Sequence, residues 1–370
     1  MNVVLHSNVV EKVVRVEKRK SKLEDWEGII YPPVSFYEIM NLSFSNAYHQ
    51  ACIRVKVDAT VRVGIEADKK TMGILENITP EDSFLALMEK VAYDLELFGN
   101  AFLEAKFDFS GKPTALYHVP AQTMAILIEG ENLFYVQEPA IGEPIRFLPF
   151  DASSPPKGDS AILHLKFYSP LSYFWGMPTW LSALESLRME QNIKLFHTSF
   201  FKHNAVPSMA VIAEEVGFEE NAAKKLKAEF SRIAGVENAH KVIIIDVPRG
   251  RIRFEKLLTD QKDFSFENLY KAAREEILAA HAVPPRLVGI VSPGHLGGGS
   301  EAEVQMKLFK EITIKSRQRY MESKLNPIVQ MAGGDAFRFK PFDVWDEGNS
   351  HENESENTLE VLKSIEAKLI

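Results

Sequence analysis

The sequence has a single cysteine, Cys52, among 370 residues. No intramolecular disulfide can form, and a Cys-based zinc cage is excluded. There is no excess of positive charge: 43 Lys and Arg stand against 51 Asp and Glu, a formal net charge of −8. That argues against a protein that coats DNA by bulk attraction. Long apolar runs are missing too. The longest uncharged stretch, Phe167 to Leu184, is 18 residues and is interrupted by Pro170, Gly176 and Pro178, which reads against a transmembrane helix. The N-terminus has no basic region ahead of its short apolar stretch and no small-residue cleavage site, unlike a secretory signal. No internal repeat is visible. What remains is a chain with 45% hydrophobic and 25% charged residues, ordinary for a globular protein, and long enough for two to three domains.

Along the chain, residues 1–28 read as an N-terminal arm, with nine charges packed into 11–24. Pro32 and Pro33 hold the next segment extended. A helix is predicted from Phe36 through Cys52 and a strand around Thr60–Ile65. The clearest helix is 80–98: Thr79 and Asp82 have capping-box spacing, Pro80 sits at the first helical position, and Gly99-Asn100 ends it. Ala101–Phe107 and Ala115–Val119 flank Asp108-Phe109-Ser110-Gly111 as a hairpin, and short strands continue to about residue 165. Ser153–Asp159 is a loop. Pro178 starts a long helix to His203, with Leu184, Leu187, Gln191 and Leu195 along one side. Strands at Ser208–Ala213, Val242–Val247 and Arg251–Leu257 and a helix at Phe218–Ile233 complete a mixed α+β body. Two long helices follow. The first, Phe264–Ala282, is stopped by Pro284-Pro285. The second, Ser300–Ile328, has Val304, Leu308 and Ile312 on one side. A strand at Ala336–Phe342 precedes an acidic tail in which Thr358–Leu369 has amphipathic spacing.

Candidate chemistry is thin. Gly294-His295-Leu296-Gly297-Gly298-Gly299-Ser300 opens a helix, and helix N-termini attract anions. A Walker loop needs Lys before the Ser, where Gly299 stands, and a buried strand ahead of it. His197 and His203 lie six apart on one predicted helix, and no His-x-x-x-His motif appears. His49 lies three residues before Cys52, but no third member or oxyanion hole accompanies them. Cys52 reads as a small core residue. No Gly-x-Ser-x-Gly elbow occurs. Neither a cofactor nor a metal is indicated.

The second long helix is more informative. Lys307, Lys310, Lys315, Arg317, Arg319 and Lys324 lie on it, against Glu311 and Glu322 in the same span. Such a helix beside a duplex gains free energy from counterion release. The alternative is salt bridging to a neighbouring helix, with Glu267, Glu275 and Glu276 as partners.

Six blocks then point to a family. Tyr31-Pro32-Pro33-Val34-Ser35-Phe36 resembles the aromatic-Pro-Pro-Val-Ser-Phe segment of PBSX-type phage portal proteins, a group that includes portals of contractile-tailed temperate phages. Leu97-Phe98-Gly99-Asn100-Ala101-Phe102-Leu103-Glu104 is similar to its Phe-Gly-Asn-Ala-Phe-Leu-Glu block. Trp175-Gly176-Met177-Pro178-Thr179-Trp180-Leu181-Ser182-Ala183-Leu184 is similar to Tyr-Gly-Leu-Pro-x-Tyr-Leu-Ser-Ala-Leu. Phe200-Phe201-Lys202-His203-Asn204-Ala205 resembles a Tyr-Tyr-x-Asn-Gly-Ala helix end. Asp263-Phe264 through Ala280-His281-Ala282-Val283-Pro284-Pro285 resembles Asp-Phe … Ala-His-x-(Ile/Val)-Pro, and Phe337-Arg338-Phe339 the closing strand. The blocks keep family order.

The resemblance implies an α+β portal fold assembling as a ring, a dodecamer in the virion, with no catalysis. It implies a wing at 29–262, stem helices at 263–282 and 300–328, a clip at 283–299, a tunnel loop and wing return at 329–347, and a reduced crown at 348–370. Twenty-three residues follow Glu347, short for a crown. The implied partners are other copies of the chain, non-specific double-stranded DNA, the terminase large subunit, major capsid and scaffolding protein, and neck or head-completion proteins, with no membrane. The implied place is the capsid vertex of a virion, after synthesis in a bacterial cytoplasm. Lys307, Lys310, Lys315, Arg317, Arg319 and Lys324 become DNA-channel candidates. Pro284, Pro285, Arg286, His295 and Leu296 become clip residues that dock terminase, and Met331, Gly333, Gly334 and Asp335 the tunnel loop. Two other readings stay open: a nucleotide-binding enzyme using Gly294–Ser300, and a monomeric α+β binding protein.

Overall fold

The computed structural model describes residues 21–24, 26–203, 209–214, 251–256, 267–290 and 299–342. Its first elements are β1 (Ile29–Ile30), α1 (Phe36–Ser45), α2 (Ala47–Val57, running into a π turn at Asp58–Arg62), β2 (Ile65–Glu66), α3 (Lys69–Asn77) and α4 (Phe84–Phe98). Six strands follow: β3 (Asn100–Phe107), β4 (Pro113–Val119), β5 (Met124–Glu129), β6 (Asn132–Gln137), β7 (Ile145–Pro149) and β8 (Ser160–Lys166). The rest are α5 (Leu184–His203), β9 (Met209–Glu214), β10 (Arg251–Lys256), α6 (Glu267–His281), α7 (Gly299–Leu308), a π stretch (Phe309–Ile314), α8 (Lys315–Met331) and β11 (Arg338–Phe339). The chain forms two compact units: one of residues 1–53, 97–100 and 166–289, the other of 54–96, 101–165 and 290–370.

In the first unit, α5 packs against α1 and α6. Phe36, Ile39, Leu42, Trp175, Trp180, Leu187, Ala273 and Ile277 are buried there. β9 and β10 pair antiparallel, Met209 opposite Lys256 through Glu214 opposite Arg251. In the second unit, six strands lie side by side in the order β5-β6-β7-β8-β3-β4. β5–β6, β6–β7 and β3–β4 are antiparallel and β7–β8 is parallel. α8 packs on β4, on α3, on the 58–62 π turn and on β11, which itself pairs with β2.

Several expectations are met for the reasons given. The hairpin turn is held by Asp108, whose Oδ1 accepts from the N–H groups of Ser110 (2.8 Å) and Lys112 (2.9 Å), while Gly111 takes φ 82°. Gly99, at φ 70°, ends α4. Others are corrected. The helix expected over 36–52 is two helices, broken at Asn46, whose Oδ1 accepts from His49 N at 2.9 Å. The strand expected at 60–65 is the π turn plus the two-residue β2. α4 begins at Phe84, not 80. Ser83 Oγ accepts from Ala86 N at 3.2 Å, and Thr79 instead donates to the Leu75 carbonyl. The helix over α3 was not foreseen: Asp68 caps it through Lys70 N and Thr71 N. On α5, Leu195 is exposed and the buried side is Ser186, Leu187, Glu190 and Ile193. The strand expected at 336–342 shortens to Arg338–Phe339. The elements expected at 218–233, 242–247 and 358–369, and the 1–20 part of the arm, lie outside the described residues.

Candidate functional site

The basic helix is the candidate site that the sequence singles out. From Gly299 to Met331 it is continuous, with the π stretch 309–314 inside it. Its C-terminal half is fixed by side chains that point into the second unit. Gln318, buried, donates from Nε2 to the carbonyls of Thr60 (3.0 Å) and Lys340 (2.9 Å). The π turn at 58–62 carries that Thr60 carbonyl, and backbone groups in such a turn lie out of α-helical register. Asn326 exchanges two hydrogen bonds with the Phe337 backbone, and Glu322 Oε1 accepts from Phe339 N at 2.7 Å.

The strongest anchor is a buried ion triad. Arg317 Nε donates to Glu96 Oε1 at 2.7 Å, and Lys56, itself fully buried, meets the other oxygen of Glu96. Burial alone would push the Glu96 carboxyl up. The Lys56 and Arg317 charges beside it more than offset that and hold it below the usual carboxylate range. Arg317 therefore departs from the other basic residues of this helix: its guanidinium faces inward and is 18% exposed.

The remaining candidates stand outward. Lys307, Arg319 and Lys324 are exposed, while Lys310 and Lys315 are half-buried. Lys315 pairs with Glu311 at 2.8 Å on its own helix, and Lys324 sits 5.9 Å from the Tyr320 ring centre. Of the acidic partners considered, Glu276 accepts from Ser186 Oγ, and Glu267 and Glu275 are exposed. The apolar residues Val304, Leu308 and Ile312, read as one side of this helix, are 57%, 52% and 66% exposed.

Clip candidates Pro284, Pro285 and Arg286 enter a short 3-10 turn (Pro285–Val288), just after Ala282, which takes φ 51°. His295 and Leu296, with Gly294 to Gly298, lie outside the described residues; Gly299 and Ser300 open α7. Met331, Gly333, Gly334 and Asp335 form the capping turn of α8. Gly333 takes φ 93°, Gly334 N donates to the Val329 carbonyl (3.0 Å), and Asp335 N donates to Thr71 Oγ1 (2.7 Å).

Most residues of the motif blocks lie in the first unit, while Ala101–Glu104 and Phe337–Phe339 lie in the second. Gly176 approaches Gly99 so closely that a Cβ on it would lie 2.2 Å from the Gly99 oxygen. Asn100 clasps the two segments: its Oδ1 accepts from Gly176 N, and its Nδ2 donates to the carbonyls of Gly176 and Phe98. Phe36 packs on Phe98 and edge-on against Trp175, whose Nε1 donates to the Ile30 carbonyl. His281 is buried with its Nε2 2.8 Å from His49 Nδ1, both beside Trp180. The His49–Cys52 proximity thus gives way to a His49–His281 contact across 232 residues, which no local pattern could reveal. Cys52 is buried.

Among the described residues, no group of three His, Cys, Asp or Glu side chains could hold a metal ion. No helix among them is long and apolar enough to cross a membrane. A family model described as phage portal protein matches residues 51–346. The chain belongs to the phage portal protein family. Over 319 residues it is 23% identical to the probable portal protein of Escherichia phage P2, covering 85% of this chain and 83% of that protein. The neck of a native gene transfer agent particle, computed with C12 symmetry, contains a chain of the same fold: TM-score 0.60 at 20% identity, over 90% of this chain and 89% of that one. An HK97-family phage portal protein from Corynebacterium diphtheriae aligns with TM-score 0.54 at 12% identity, over 84% of this chain and 97% of its own. The portal resemblance and the mixed α+β fold class are borne out. Membership brings a structural role at the capsid portal.

Proposed function

We propose that this chain is the subunit of a portal ring at one vertex of a phage capsid, twelvefold in the particle, through which double-stranded DNA enters and leaves. The family match over 51–346 carries the reading, and the fold it shares with a chain from a C12-symmetric neck supports the ring. The wing is the α+β body, the stem is formed by α6 and by α7–α8, and the clip follows Pro284 and docks the terminase large subunit and later the neck proteins. Capsid and scaffolding protein meet the outer face. Assembly is in the bacterial cytoplasm, and the product resides in the virion.

A channel must not grip its cargo. Lys307, Lys310, Lys315, Arg319 and Lys324 on an otherwise acidic chain give few, salt-screened and sequence-independent phosphate contacts. A closed ring of identical subunits is heterologous, so each copy offers two different faces. The deciding experiment is native mass with negative-stain imaging of the purified chain, alone and after co-expression with its scaffolding and capsid proteins. Rings with a central channel are the expected result. A monomer under every one of these conditions would overturn the reading.

A further inference from the structure

Three exposed apolar side chains at helical spacing, Val304, Leu308 and Ile312, mark a stripe on the second unit that the described residues leave uncovered. Scattered exposed leucines are ordinary, but an aligned row on a helix is a docking face. Glu301 and Glu303 flank its Val304 end, while Lys307, Lys310, Lys315 and Arg319 against Glu311 make its Leu308–Ile312 end the positive one.

A complementary segment begins next to it. The last described residue, Phe342, packs its ring 6.2 Å from that of Phe309, the buried residue that follows Leu308 and opens the π stretch holding Ile312. Beyond it, residues 343–370 carry eight acidic side chains against two lysines. Within them Leu359, Val361, Leu362, Ile365 and Leu369 fall on one side of a helix at 100° per residue. Fifteen residues separate Phe342 from Thr358. A flexible linker of that length spans roughly 20 Å root-mean-square, while the stripe from Val304 to Ile312 is about 12 Å long. The reach is sufficient, and tethering at such length gives an effective concentration on the order of millimolar, so a weak contact suffices.

We propose that the acidic segment 358–369 docks as an amphipathic helix on the Val304–Leu308–Ile312 stripe of its own chain. The apolar rows bury each other, and the glutamates of the tail meet the lysines beside the stripe. The tail thereby covers a surface that would otherwise recruit other chains, and it places negative charge beside the same lysines that serve DNA contact in the ring.

The test is a disulfide formed in the full chain between Leu308→Cys and Ile365→Cys. Cys52 is buried, so the two new thiols are the reactive ones, and Leu308 is 52% exposed, so its replacement is tolerated by the fold. Rapid oxidation to a species of monomer mass is expected, slowed at least tenfold when Val304→Glu and Ile312→Glu are added. Oxidation no faster than in a Lys106→Cys, Ile365→Cys control overturns the proposal. So does a disulfide that joins two chains only, which would make a second copy the occupant. Native mass of the same samples reports ring formation separately, so the docking and the portal assignment fail independently.

Discussion

Glu96 is the residue whose replacement should tell most about how the basic helix is held. Glu96→Gln keeps the shape and removes the negative charge that lies between Lys56, fully buried, and Arg317. Breaking a buried ion pair by removing one partner costs about 3–5 kcal/mol, because the remaining charge stays desolvated. For a unit of this size each kcal/mol moves the melting midpoint by roughly 2–4 °C, so a drop of about 6–20 °C is expected. Thermal and urea denaturation of the full chain, followed by circular dichroism at pH 7, would read it. The triple replacement Lys56→Met, Glu96→Leu, Arg317→Met removes all three charges and should recover most of the loss. The sign of the pH dependence follows from the lowered Glu96 pKa. Its contribution is fully present above the unfolded carboxylate value of about 4.3 and is lost as pH falls through the folded value. The gap between wild type and Glu96→Gln should therefore hold from pH 7 to about pH 5 and close only in stronger acid. A Gln variant within about 1 kcal/mol of wild type, or a gap that closes already between pH 7 and 5, would refute the anchor.

Three further outcomes follow from the same geometry. Gly176→Ala places a Cβ 2.2 Å from the Gly99 oxygen and 2.8 Å from Phe167 N; backbone must move, at about 3 kcal/mol or more, so soluble yield and melting temperature should both fall, and an unchanged melt would contradict the close approach. Asn100→Ala strands the Gly176 N–H and carbonyl inside the clasp and should cost about 1–3 kcal/mol per group left unpaired, measured by urea denaturation. In assembled rings, Lys310→Glu with Lys315→Glu should flatten the dependence of log DNA affinity on log salt by about 0.9 per lost phosphate contact, with ring mass unchanged; an unaltered slope would remove these two lysines from the channel.

What the sequence made legible is what local physics controls. The Asp108–Gly111 turn, the Gly99 stop and the helical runs over 184–203, 267–281 and 299–331 are set by backbone preferences and spacing. Where tertiary bonds decide, reading failed. Val61 and Val63 read as a strand, yet 58–62 coils as a π turn whose Thr60 carbonyl serves Gln318, some 258 positions away. On α5 the buried face includes Glu190 and Ser186 while Leu195 stays out, so an apolar period pointed to the wrong stripe. Burial pushes the Tyr270 hydroxyl up to about 12, with Glu190 adding to it, and a polar contact of that kind leaves no trace in hydropathy. Arg317 was indistinguishable from Arg319 by type and spacing; a glutamate 221 residues earlier separates them.

The family blocks and the working surface obey different constraints. Phe36, Phe98, Gly99, Asn100, Trp175 and Gly176 are tied to one another by van der Waals contact and by hydrogen bonds that only those residue types can make, so almost any replacement carries a folding cost. The exposed lysines of the 299–331 helix differ: if Lys307 and Lys324 serve the proposed channel, that role asks for charge at moderate density rather than one fixed partner. The proposed ring, passing DNA of any sequence, would need no fixed pattern on its channel. The buried triad reconciles the two demands, because Arg317 and Gln318 set the rotation of the helix and the outward lysines follow from that rotation, whatever their individual positions.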